Sequence, residues 1–152
     1  MDFPVSWGIA DIDDSRLLFG NKNYSFYIYQ VDSDGKDLEL KTAKKLLNKE
    51  YGNRYTDYSI TSSNTVENKD KLINDYYVFG TDIKITKYRE KYTGRLGMNY
   101  EKYIVNCKGK VSVIDYNGDY YVCEIIVSDL SNLNSYFDEY NAILASLSVT
   151  KE

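Results

Sequence analysis

The chain has 152 residues, a formal net charge of −4, no His, two Cys and 17 Tyr. That length fits one domain with a core of its own, and the acidic balance disfavours a general nucleic-acid binder or a partner of anionic membranes, both of which call for basic surfaces. The absence of His removes Ser-His-Asp and Cys-His catalysis, His-ligated metals and His pH switches.

The start, Met1-Asp2-Phe3-Pro4, has neither the basic n-region nor the apolar h-region of a signal peptide, and Phe3-Pro4-Val5-Ser6-Trp7 is a short apolar run. The start reads either as that of a cytoplasmic protein or as a chain trimmed of an export signal or anchor. Asp11, Asp13 and Asp14 come next. They are the densest carboxylate cluster, a weak candidate for a hard cation such as Ca²⁺, against the ordinary reading of a solvated acidic turn.

Arg16–Phe19 reads as a strand and 20–23 as a turn. Tyr24–Val31 is a strong strand, with Phe26 and Ile28 on one face and Tyr27, Tyr29 and Val31 on the other. Asp32-x-Asp34-Gly35-x-Asp37 has the wrong register for an EF-hand, since Gly35 comes two positions early and Ala43 takes the place of the bidentate Glu. A turn and a helix N-cap at Asp37 explain it better. Leu40, Ala43, Leu47 and Tyr51 recur at helical spacing, which predicts a helix over about 38–51, stopped by Gly52.

Asp57–Thr61 looks extended, and 64–74 is ambiguous between a loop and a short helix. In Tyr76–Thr86, Tyr77, Phe79, Ile83 and Ile85 share a face. Lys87–Gly97 reads as a basic connection. Its Lys and Arg alternate with Tyr88 and Tyr92, a pattern that can follow single-stranded nucleic acid but that in an acidic protein reads as a solvated loop. The stretches 98–107, 110–116 and 120–127 predict a three-strand meander turning at Lys108-Gly109 and Asn117-Gly118. Tyr121–Val127 is apolar on both faces, as in a strand covered on both sides. A final helix is predicted over about 132–147, with Ser131 as N-cap and a stripe of Leu133, Phe137, Tyr140, Leu144 and Leu147.

If Asn117-Gly118 is a two-residue turn, Ser112 lies opposite Cys123 and Cys107 falls on a different, non-adjacent strand. Two free, half-buried thiols are then favoured over a disulfide. Glu101, Asp115 and Glu124 lie on predicted neighbouring strands, where a glycosidase pair is weighed against ordinary solvated carboxylates.

The element order predicts an α+β domain spanning 1–152, an α/β/α sandwich with a central antiparallel sheet flanked by the two helices. At four places the chain resembles the PsbP-like superfamily: Pro4-Val5-Ser6-Trp7, Tyr24–Val31 running to Asp37-Leu38, Asn117-Gly118-Asp119-Tyr120-Tyr121-Val122, and Phe137–Val149. That superfamily includes a photosystem II extrinsic subunit, a Ran-binding factor and bacterial surface lipoproteins. The resemblance implies the same sandwich and no shared catalytic set, so no catalytic residue, cofactor or cofactor-binding residue is carried over.

The expected function is a non-catalytic binding or accessory module with a protein partner and no nucleic acid. Its place would be a bacterial cell surface, on an anchor outside this sequence. A cytoplasmic regulator acting by protein contact is the alternative, and a carboxylate-based glycan hydrolase comes third. The candidate contact residues are Tyr27, Tyr29, Tyr88, Tyr92 and Tyr120, because Tyr suits surfaces that are half apolar and half wet, against the ordinary reading that the Tyr content reflects β-propensity and AT-rich codon usage.

Overall fold

The computed structural model describes residues 9–13, 16–32, 38–66, 76–116 and 119–145. Among these residues seven strands form one antiparallel sheet: β1 (Ile9–Asp13), β2 (Arg16–Gly20), β3 (Tyr24–Val31), β4 (Asp57–Val66), β5 (Tyr76–Tyr92), β6 (Met98–Tyr116) and β7 (Asp119–Val127). Their order across the sheet is β1-β2-β3-β7-β6-β5-β4. Helix α1 (Leu40–Arg54) joins β3 to β4, and α2 (Leu133–Ala145) comes after β7.

The helices lie on opposite faces, and the strand alternation divides the core into two layers. Towards α1, Ala43, Leu47 and Tyr51 pack on Tyr29, Phe79, Ile83, Cys107, Val111, Val113, Val122 and Ile126. Towards α2, Tyr140, Ile143 and Leu144 pack on Phe19, Tyr24, Phe26, Ile114, Cys123, Ile125 and Val127. The architecture is the expected α/β/α sandwich. β7 is central and buried on both faces, and its register places Cys123 opposite Ser112, as expected. The faces expected for β3 and β5 are those observed.

Several expectations need correction. The acidic stretch expected as a turn forms the edge strand β1, with Asp11 opposite Leu18 and Asp13 opposite Arg16. Helix α1 runs through Gly52 to Arg54, one turn past the expected stop, and this carries Arg54 to a buried partner. Its N-cap is Glu39, and Asp37 lies outside the described residues. Ser131 sits inside a short 3-10 turn ahead of α2, where its hydroxyl and the Asn132 amide donate to the Asp129 carboxylate.

The largest correction concerns β5 and β6. The basic connection at Lys87–Gly97 and the turn at Lys108-Gly109 are both mostly strand. Gly109 lies inside β6 because β7 and β5 approach too closely for a side chain. A Cβ there would stand 2.6 Å from the Ile125 carbonyl oxygen and 2.6 Å from Thr81 Oγ1. The glycine signals a close backbone approach, not a reversal. Cys107 is therefore on β6, adjacent to β7, but faces α1 while Cys123 faces α2. Both thiols are free and buried.

The lengths of the elements decide how much of the sheet is covered. α1 has 15 residues and α2 has 13, which makes them about 22 and 20 Å long. β5 has 17 residues and β6 has 19, so each spans about 55–65 Å. The helices cannot cover strands of that length, and part of the β5–β6 hairpin must overhang.

Candidate functional site

The overhang is well delimited. β4 pairs with β5 only as far as Lys84, and β7 pairs with β6 only from Lys108 onward. Ile85 and Val105 are the last pair packed against the core on the α1 side. Beyond them, Thr86–Tyr92 and Met98–Ile104 pair, among the described residues, only with each other, and every one of these residues is exposed. Gly94 (φ 71°) and Gly97 (φ 94°) shape the tip in left-handed conformations that suit glycine.

Strand alternation makes the ribbon two-faced. Lys87, Arg89, Lys91, Asn99, Glu101 and Tyr103 share the face that continues the α1 side. There Arg89 Nε donates to Glu101 Oε2 at 2.8 Å, and the guanidinium lies 5.5 Å from the Tyr103 ring centroid. The opposite face carries Tyr88, Tyr92, Met98, Tyr100 and Ile104, with Thr86, Glu90 and Lys102 among them. Those five large side chains are 63, 75, 50, 68 and 58% exposed respectively. At these exposures they present about 600 Å² of largely apolar surface, the upper end of what a monomer ordinarily shows.

The cationic residues at 87, 89 and 91 thus point away from Tyr88 and Tyr92. Phosphate contact and base stacking would fall on opposite faces, contrary to the single-strand-binding pattern.

The expected contact tyrosines divide. Tyr88 and Tyr92 are on the exposed ribbon face. Tyr29 and Tyr120 are buried, and Tyr27 is partly buried beneath Arg54, whose guanidinium lies 5.5 Å from its ring. Tyr29 and Tyr120 therefore form no exposed face, because α1 covers that side of the sheet. The sequence reading missed Met98 and Ile104, and placed Tyr100 on a strand without including it in the contact set. Their spacing of two matches that of Tyr88 and Tyr92, and one continuous hairpin in place of a loop would have aligned all five.

A second polar cluster lies in the body. Tyr51 donates to Glu124 Oε2 at 2.6 Å, and Arg54 Nη1 meets Glu124 Oε1 at 2.6 Å. The guanidinium is 5.0 Å from the Tyr55 ring centroid and 5.6 Å from that of Tyr51. Burial pushes the Glu124 carboxyl above its ordinary range, although Arg54 and Tyr51 pull the other way. Burial, and then the Glu124 charge, likewise raise the Tyr51 phenol. Beside this cluster an open groove of about 660 Å³ sets Lys45 and Lys49 against Asp32 and Glu50.

The three carboxylates weighed as an acid–base pair are spread along the sheet. Glu124 stands opposite Val111 and Asp115 opposite Tyr120, four residues or about 13 Å further along, whereas a glycosidase pair needs about 5–9.5 Å. Glu101 is on the ribbon, bound to Arg89. Burial raises both cysteine thiols, against the thiolate form a nucleophile needs. Among the described residues no group of three or more His, Cys, Asp or Glu could hold a metal. Asp14, and Asp34 and Asp37 of the other acidic run, lie outside them.

No protein-family model matches the sequence, and no curated protein matches it. The solution structure of cyanobacterial PsbP (CyanoP) from Synechocystis sp. PCC 6803 matches over 97% of this chain and 84% of that one, with a TM-score of 0.60 and 10% identity. The fold is PsbP-like. At that identity the PsbP-like likeness concerns the fold alone. Among the described residues no helix is long and apolar enough to cross a membrane.

Proposed function

We propose that this PsbP-like chain is a non-catalytic binding module that works through the apolar face of its β5–β6 ribbon, as an accessory domain at a bacterial cell surface. One observation carries the reading: five large side chains held in the open on one face of an overhang that the body's packing does not use. Tyr and Met are enriched where proteins meet, and ordering them on a paired ribbon lowers the entropy lost on contact. The wide spacing of Glu101, Asp115 and Glu124 supports a binding role over a hydrolytic one.

A photo-cross-linking residue at Tyr100, compared with the same residue at Lys45 on the body, tests the reading in source cells. Adducts to polypeptide are expected from position 100 and not from position 45. Adducts from position 45 alone, or from neither, would contradict it. Fractionating the same cells tests the location: the chain is expected with the envelope, and recovery in the cytosol would overturn that part.

A further inference from the structure

We infer that the ribbon's apolar face is the self-complementary half of a two-fold dimer, so that its occupant is the same face of a second copy of this chain. This rests on the ribbon being the contact surface, and it adds the identity of what covers it.

Size comes first. A face of about 600 Å² closed on its own copy buries about 1,200 Å², the lower bound for a specific, reversible protein interface. Thr86, Glu90 and Lys102 on the same face carry the total above that bound.

Charge comes second. Thr86–Ile104 holds five basic and two acidic residues, a net +3 in a chain of −4. The apolar face takes no share of that excess: its charges are Glu90 and Lys102, one of each sign. A face built for an anionic partner would hold the excess cations, but Lys87, Arg89 and Lys91 are on the other side and Arg95 is in the turn at the tip. Glu90 stands opposite Tyr100, and Tyr88 opposite Lys102, so the two charges lie diagonally across the ribbon. Among the described residues neither is in an ion pair within the chain. A two-fold axis in the plane between two such faces, perpendicular to the strands and passing between these four residues, keeps the ribbons aligned and lays each Glu90 over the partner copy's tyrosine at position 88, within side-chain reach of the lysine at position 102 beside it. An isologous interface requires this kind of self-complementarity.

Geometry comes third. Among the described residues the strand edges of the ribbon are open, but Lys87, Arg89 and Lys91 on β5 and Lys102 on β6 discourage edge-to-edge pairing. The flat apolar face lacks that protection. Packing two twisted ribbons face to face, as two sheets pack at about 10 Å, is the arrangement this distribution favours.

Sedimentation velocity of the full chain from about 1 to 100 μM, where interfaces of this size dissociate, tests the inference. The wild type is expected to pass from monomer to dimer. Tyr100→Ser should abolish the dimer, with the melting temperature unchanged at low concentration, where the wild type is also monomeric. Glu90→Lys and Lys102→Glu should each weaken it about tenfold or more, since each sets like charges together twice. Mixing those two variants in equal amounts should restore a dimer of wild-type strength, because positions 90 and 102 then carry opposite charges across the axis in both contacts.

A monomer throughout the range would overturn the inference, as would a mixture no stronger than the single variants. If the monomer instead gives Tyr100 adducts to a different polypeptide, the second copy is wrong and the contact surface stands. If it binds anionic vesicles through Tyr100 and forms no protein adduct, both readings fail.

Discussion

β5 and β6 each belong to two different environments. From Tyr76 to Lys84 and from Lys108 to Tyr116 they lie inside the sheet, with neighbours on their outer edges. From Thr86 to Tyr92 and from Met98 to Ile104 the same strands have, among the described residues, only each other. Tyr and Ile occur in both halves, although the ribbon half has no Val and more charge. For the types they share, what changes is whether a helix lies over them. Tyrosine therefore serves two purposes: Tyr51, Tyr120 and Tyr140 are among the largest fully buried side chains, while Tyr88, Tyr92 and Tyr100 are among the most exposed. Composition alone cannot separate these roles, but register and helix length can.

The comparison predicts costly substitutions in the body and nearly free ones on the ribbon. The largest effect is expected from Arg54→Met, which leaves Glu124 buried without its cation. Breaking a buried pair in this way costs about 3–5 kcal/mol. The loss should depend on pH. Glu124 sits above its ordinary range when folded, so the native state holds the proton more tightly than the unfolded chain. The stability this provides is present on the acid side and is lost as pH rises through the folded value. Without Arg54 the carboxyl rises further, so the deficit should be larger near pH 8 than near pH 5 in urea melts. An equal deficit at both would mean that Glu124 is not the group left unpaired.

Gly109→Ala comes next. Its methyl group would press on the Ile125 carbonyl and Thr81, and overpacking of this kind costs about 1–3 kcal/mol. Thermal melts would measure it, and an unchanged midpoint would restore the reading of Gly109 as a turn residue. Tyr140→Phe is smaller. Tyr140 donates to the Cys123 carbonyl at 2.7 Å and so accepts from Ser112 Oγ at 2.6 Å. Its loss strands a buried hydroxyl and a carbonyl, a cost of about 1–2 kcal/mol. The smallest effect on folding is expected from Tyr88→Ser with Tyr100→Ser, within about 0.5 kcal/mol, as for surface sites remote from the core. A loss of several kcal/mol there would show that the ribbon face belongs to the core.

Much of the body was legible in the sequence. The alternation in Tyr24–Val31, the doubly apolar run at Tyr121–Val127 and the helical stripes each have one strong period, and the two layers follow from them. The ribbon was not legible, for two physical reasons. Gly109 carries the usual sign of a turn, but it is needed for close approach inside a strand. The alternation of Lys and Arg with Tyr from Lys87 to Tyr92 has the polarity of a loop, because both faces of an overhang are wet. The contact face was half visible, in Tyr88 and Tyr92. Tyr100, Met98 and Ile104 join them only through the pairing of the two strands. Arg54 was hidden behind Gly52, since a glycine near a helix end reads as a stop and the buried Glu124 beyond it cannot be foreseen from local sequence.

Amide hydrogen exchange on the full chain, followed at low and high protein concentration, tests the division most directly. Amides of Thr86–Tyr92 and Met98–Ile104 should exchange far faster than those of Phe79–Ile83 and Val111–Ile114 at low concentration, and should gain protection as concentration rises while the body stays unchanged. Uniform protection along β5 and β6, independent of concentration, would contradict both the bare ribbon and its role as the contact face.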